Sequence, residues 1–188
     1  MIIGVTGTIG AGKGTVTQYL VEQKGFKHVA VSDTFLVGEA LKRGLTPDRI
    51  VRRDIANEYR AKSPTALMEA VYALAVPFIE AGENVVIEPQ HTEAEVGFIQ
   101  SKGGVEFAVD ASLEQRYLRI KKRASAKDLV SYEQFVEEQT HEMTSDDPNK
   151  NNLGRAIAKA DHLFHNDATE EELYAQIEAV LKDIHSKN

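Results

Sequence analysis

Gly7, Gly10 and Gly12 run directly into Lys13 in the stretch Ile-Ile-Gly-Val-Thr-Gly-Thr-Ile-Gly-Ala-Gly-Lys-Gly-Thr, residues 2–15. Glycines lack the Cβ that would keep a ligand away, so successive backbone N–H groups can curl round an anion. The first turn of a following helix adds unpaired donors and the positive end of its dipole. Lys13 supplies a mobile point charge, which suits the outer phosphates of a nucleoside triphosphate. Packing a strand against a helix requires no lysine at that place. The spacing, Gly7, four residues, then Gly12-Lys13, is the P-loop pattern. The phosphate-binding set read from it is Gly7, Ile9, Gly10, Ala11, Gly12, Lys13, Gly14 and Thr15.

Other residues with chemistry follow from where strands end. In an open parallel sheet, ligands collect outside the carboxyl ends of the strands, which selects Ser32-Asp33 and Glu88 as neighbours of the loop. Mg²⁺ takes oxygen ligands and keeps several waters, so Thr15 and, through water, Glu88 are candidate ligands, with Asp110 the competing acid. Glu88 equally fits a capping or surface carboxylate. Asp33 reads either as a substrate-facing carboxylate or as the N-cap of the next helix. Arg43, Arg49, Arg52, Arg53 and Arg60 concentrate in one segment, and Arg49, Arg53 and Arg60 share a helical face. Planar guanidinium forks there can grip paired phosphate oxygens; the alternative is a solvated face paired with Asp54 and Glu58. Arg116, Arg119 and Arg123 form a second stripe beside a core stripe of Leu113, Tyr117 and Ile120, with a basic outer helix as the alternative. His91 and His141 lack multidentate metal spacing and read as surface residues.

The elements that must position these groups alternate along the chain. Apolar runs predict strands at 2–6, 28–32, 84–88, 105–109 and 162–165, with Pro89 stopping the third. Helices are predicted at 13–24, 33–43, 47–62, 64–81, 93–102, 113–124, 130–144, 153–160 and 169–184. Thr46 is expected to cap the third of these, with Pro47 at its first position. Five strands separated by helices imply an α/β three-layer sandwich with a parallel sheet.

The chain has 188 residues, 42% of them apolar, enough for one domain with an ordinary core and a small insertion. No apolar run approaches the roughly 20 residues that span a bilayer, so a soluble, cytoplasmic protein without a membrane partner is expected. The absence of cysteine excludes disulfides and thiolate chemistry. A formal charge of −7 argues against broad nucleic-acid binding, so an anionic ligand must be held by local clusters of basic groups.

The form Gly-Ala-Gly-Lys-Gly-Thr resembles adenylate kinase and its nucleoside monophosphate kinase relatives, and the preceding Gly-Val-Thr-Gly-Thr-Ile-Gly also resembles dephospho-CoA kinase. The resemblance implies a compact P-loop NTPase fold, ATP as phosphoryl donor, Mg²⁺ and a small-molecule acceptor, in a monomer or homodimer. It implies a single kinase domain over 1–188, with acceptor-binding helices at about 34–82 and a lid-like segment at about 124–152, polar and following the arginine stripe, that is expected to close over ATP and exclude water. By the same resemblance Lys13, Asp33, Arg119 and Arg123 are the catalytic candidates. Asp33, Arg43, Arg49, Arg53, Arg60 and Glu88 face the acceptor, and the turn at Asn166 lies near the adenine. The third strand ends Val-Val-Ile-Glu-Pro-Gln-His, where adenylate kinase has Asp-Gly-Phe-Pro-Arg. The implied reaction is phosphorylation of a nucleoside or deoxynucleoside monophosphate, with dephospho-CoA kinase as the alternative and a nucleotide-dependent switch or regulatory ATPase as the reading from another class.

Overall fold

Ile2–Gly7 forms β1, buried at every position, and a strand buried on both faces belongs in the middle of a sheet. The computed structural model describes residues 1–122, 131–144 and 152–187. The other strands are β2 (Lys27–Ala30), β3 (Val85–Gln90), β4 (Val105–Asp110) and β5 (His162–His165). They form one parallel sheet in the order β2-β3-β1-β4-β5. The chain leaves β1 toward one edge and later crosses to the other side of it. A crevice therefore opens where the connections diverge, at the carboxyl end of β1.

Helices cover both faces, as the alternating pattern predicts. On one face, α1 (Lys13–Lys24) and α9 (Glu170–Lys187) enclose a core of Val5, Val16, Leu20, Phe107, Phe164 and Ile177. On the other, α2 (Val37–Lys42), α3 (Arg49–Lys62), α4 (Ala66–Glu80) and α5 (Glu93–Ser101) surround Val29, Ile55, Leu67, Met68, Val71 and Ile87. The remaining described helices are α6 (Leu113–Lys122), α7 (Tyr132–Met143) and α8 (Leu153–Lys159).

Three local readings of the sequence are corrected. β2 ends at Ala30, and a π-helical turn, Val31–Leu36, leads directly into α2. Asp48, not Thr46, caps α3: its side chain accepts the Val51 N–H at 2.9 Å, which leaves Pro47 outside the helix. Pro89 does not stop β3, because the strand continues through a cis Glu88–Pro89 bond to Gln90. The Gln90 carbonyl is tied there by the Thr6 hydroxyl at 2.7 Å.

Glu106 is a charge-bearing side chain in the fully buried part of β4. Phe107 and Val109 face the α1/α9 core, so alternation turns Glu106 to the opposite face. Its carboxyl fits because the neighbouring residue on β1 is Gly4, where a Cβ would stand 1.9 Å from Glu106 Oε1. Neither carboxyl oxygen has a hydrogen-bond partner among the described residues. Burial first, and then the nearby Asp161 and Glu95, push this carboxyl well above the usual range.

The native state thus keeps a proton that the unfolded chain releases near an ordinary glutamate pKa, roughly 4.3. Above that value the unfolded state binds fewer protons, so stability falls as pH rises through the raised native pKa. Glu106→Gln is expected to remove this slope. Thermal melts from about pH 4 to about pH 8 should show the variant gaining on the wild type as pH rises, by about 2–4 °C for each kcal/mol relieved.

Candidate active site

The glycine loop sits between β1 and α1 and is gripped from two sides. Gly10 has φ +77°, and a Cβ there would come within 2.7 Å of the Arg116 carbonyl oxygen in α6. Gly12, the N-cap of α1, has φ +109°, and its Cβ would meet Asn166 Nδ2 at 2.2 Å. That same Nδ2 donates to the Ala11 carbonyl at 2.7 Å. Arg119 Nη2 donates to the Asn166 carbonyl at 2.8 Å. The Thr8 hydroxyl donates to Asp110 Oδ1 at 2.7 Å, and Lys13 Nζ donates to the Gly7 and Thr8 carbonyls at 2.9 and 3.0 Å. The loop is therefore held in shape by groups at the ends of β4 and β5 and by α6, the arrangement that lets backbone donors converge on an anion.

From this loop a cavity of about 390 Å³ runs across to α3. Gly7, Ile9 and Lys13 form one end, and Arg49, Arg52, Arg53 and Arg60 line the helix side. Ser32 and Leu36 of the π-helical turn, Pro89 in β3, His91 just after it, and Glu142 of α7 are also in the wall. In a chain with a formal charge of −7, Lys13 and these arginines are gathered in one place where an anionic ligand could meet them, although Arg52, Arg53 and Arg60 are also paired with Asp33, Asp54 and Glu95. α3 is moored by a buried ion pair, Arg60 Nε to Glu95 Oε1 at 2.8 Å, with the two side chains 5% and 0% exposed. The other Glu95 oxygen accepts the His91 backbone N–H at 2.8 Å. One carboxylate thus ties the arginine helix to the end of β3.

The cavity gathers Gly7, Ile9, Lys13, Arg49, Arg53 and Arg60 from the residues expected in the site. Asp33 lies at the rim, 83% exposed and paired with Arg52 Nη1 at 3.0 Å, while its neighbour Ser32 lines the wall. Arg43 is turned to Glu58, at 2.6 Å, and ties α2 to α3. Glu88 Oε1 is paired with His28 Nε2 at 3.0 Å. It lines a separate hollow beside Gly14 and Thr17 of α1. Asn166 is spent on the loop's own backbone at Ala11, and Arg119 on the carbonyls of Asn166 and Gly10. Arg123 lies outside the described residues, as do 124–130 and 145–151 of the lid-like segment, including Asp146-Asp147-Pro148.

Two features depart from the sequence reading. Arg116, read as part of a basic stripe, is 4% exposed, with Nη1 donating to Gln139 Oε1 at 2.8 Å and its guanidinium over the Phe135 ring. Burial lowers its pKa from the ordinary arginine value. Gln139 in turn donates to Glu142 at 3.1 Å, which links α6 to the cavity wall. His91, read as a surface residue, lines the cavity, and burial, followed by the charges of Arg60 and Lys13, lowers its pKa to about 3. The signal for His91 was available, since it directly follows a strand end on the ligand side of a parallel sheet.

A parallel sheet carrying this loop at the end of its central strand is an α/β P-loop NTPase fold. The chain matches the AAA domain family AAA_18 over residues 3–143 and belongs to it. It is similar to UPF0200 protein TK1334 of Thermococcus kodakarensis, 29% identical over 195 residues that cover 100% of both chains. Among solved structures it is similar to TT1252 from Thermus thermophilus, with a TM-score of 0.58, 21% identity and 97% of each chain covered. Shikimate kinase from Aquifex aeolicus shares the fold at a TM-score of 0.54 and 15% identity, over 100% of both chains.

The steric grip on the loop gives a direct expectation. Gly10→Ala places a Cβ against the α6 backbone at a positive φ, which should cost about 1–3 kcal/mol of stability. Calorimetric titration with ADP should show at least about tenfold weaker binding, the effect of roughly 1.4 kcal/mol.

Proposed function

We propose that this protein transfers the terminal phosphoryl group of ATP to a nucleoside or deoxynucleoside monophosphate, giving ADP and the diphosphate. The observation that carries the reading is the continuity of one cavity from Gly7, Ile9 and Lys13 to Arg49, Arg52, Arg53 and Arg60. A donor held by the loop and an anionic acceptor held by α3 would face each other across Lys13. A monophosphate oxygen is already ionised at neutral pH and needs no strong base, so the site's work is positioning and charge neutralisation. The Lys13 ammonium would follow the phosphoryl group as charge develops on it. The arginines of α3 would fix the acceptor, with α2–α4 as the acceptor-binding segment and α7 contributing to the cover over the cavity.

The donor set suits Mg²⁺. The Thr15 hydroxyl and the Asp110 carboxylate at Thr8 are hard oxygen donors beside the loop. Among the described residues no group of three or more His, Cys, Asp or Glu side chains gathers to hold a metal. A cation held mainly by nucleotide phosphates and Thr15 fits that arrangement, and when bound it neutralises phosphate charge.

A second reading rests on Glu142, the carboxylate lining the cavity. An acceptor that presents a hydroxyl, such as dephospho-CoA, would give that carboxylate a proton to receive. Incubation with Mg-ATP and, separately, each nucleoside monophosphate and dephospho-CoA, followed by mass spectrometry, separates the cases. A nucleoside diphosphate is the expected product, CoA would select the second reading, and ADP without acceptor dependence would indicate an ATPase. Lys13→Ala should keep the fold and lose at least about 3 kcal/mol of transition-state stabilisation in kcat/KM. Near-wild-type transfer by that variant would overturn the assignment.

A further inference from the structure

His91 is the cavity residue whose chemistry the reading above leaves unused. Its main chain is fixed at both ends, the N–H donating to Glu95 Oε2 at 2.8 Å and the carbonyl accepting from the Asn152 N–H at 3.0 Å. The residue keeps partial exposure, on the side where it lines the cavity. Its Nδ1 is sealed from solvent and has no hydrogen-bond partner among the described residues. An imidazole placed with this much backbone support, and with its Nδ1 left unmatched, costs stability unless something offsets it. Structural histidines in a cavity wall are ordinarily tied to a carboxylate or carbonyl; here the nearby carboxylate, Glu95, is occupied by Arg60 and by the His91 backbone.

The surroundings decide which state of the ring is present and what it can bind. Burial first, and then the charges of Arg60 on α3 and Lys13 on α1, disfavour a positive charge on the ring. A neutral imidazole carries one N–H donor and one lone pair. A ring that resists protonation this strongly is a poor general base, so removing a proton from the acceptor is not its task. What it offers is a hydrogen-bond donor in a cavity whose wall also carries Lys13 and Arg60, cations that attract anionic oxygen.

We propose that His91 is an acceptor-contacting residue, its imidazole donating from Nε2 to an anionic oxygen of the acceptor phosphate in the cavity it shares with Lys13 and Arg60. This rests on the acceptor being a phosphate ester held in the cavity. The contact sets specificity as well as affinity, because a site built to donate to an anionic oxygen leaves its donor unmatched when a neutral group occupies the place.

The test has two arms. In the first, the glycine loop of wild-type protein is saturated with Mg²⁺ and a non-hydrolysable ATP analogue, and inorganic phosphate is titrated while the His91 ring signals are followed by NMR, assigned by their loss in His91→Gln. The signals should move saturably, and His91→Phe should weaken phosphate binding roughly tenfold or more while leaving the analogue's affinity within about twofold. Signals that stay still while calorimetry shows phosphate bound would overturn the proposal without requiring any variant to fold.

The second arm is kinetic. His91→Phe should lower kcat/KM for the acceptor by roughly 10- to 100-fold, and His91→Gln, which restores an N–H near the Nε2 position, should recover it to within about threefold of wild type. A kinase whose His91→Phe variant folds and keeps its acceptor KM would overturn this proposal and leave the nucleotide-kinase reading intact. Failure of every nucleoside monophosphate to be phosphorylated, with phosphate still moving the His91 signals, would overturn that reading and leave the anion contact supported.

Discussion

The closeness of α6 and Asn166 to the glycine loop is the constraint on which the rest of the structure depends. At Gly10 the α6 backbone occupies the space of a side chain, and at Gly12 Asn166 Nδ2 does the same. The loop can therefore take only one course, with Asn166 bound to the Ala11 carbonyl and Arg119 bound to the Asn166 carbonyl. Shape imposed from outside leaves the inner backbone donors free for a ligand instead of for one another. The sheet order makes this possible, because β1 lies between β3 and β4 and its end is flanked by the ends of both.

Electrostatics adds a second level of order. An acidic chain gathers Lys13 and four arginines into one cavity, and it keeps two other ionisable groups in that layer from carrying charge. Burial raises the pKa of Glu106, packed against Gly4, and burial followed by the charges of Arg60 and Lys13 lowers that of His91. Glu95 stands between these regions, fully buried, with one oxygen on Arg60 and the other on the His91 backbone. Breaking such a pair by removing one partner leaves a buried charge uncompensated and typically costs about 3–5 kcal/mol. One carboxylate thus joins the arginine helix to the end of β3.

Much of the fold was legible in the sequence, because burial of whole strands and glycines at fixed spacing are local signals. The continuous apolar runs gave all five strands, and the helical stripes gave the layers that cover them. What stayed hidden depends on pairing across long sequence separations. Arg60 and Glu95 are 35 residues apart, and nothing in either neighbourhood marks them as a buried pair rather than two surface charges. Arg116 looked like one member of a basic stripe, whereas its partner Gln139 lies in α7 and the ring beneath it belongs to Phe135. Glu88 and Glu142 show the same limit from opposite sides. A carboxylate at a strand end is turned to His28, and one in a polar helix reaches the cavity. Side-chain alternation decides the first, and tertiary packing decides the second.

The central claim is that the phosphoryl group passes to a second bound molecule and not to water. It is tested most directly by running the reaction with Mg-ATP and a mixture of nucleoside monophosphates in ¹⁸O-enriched water and weighing the phosphorus-containing products. The account predicts nucleoside diphosphate free of ¹⁸O, together with negligible inorganic phosphate. ¹⁸O-labelled inorganic phosphate, formed at the same rate with or without the monophosphates, would contradict it.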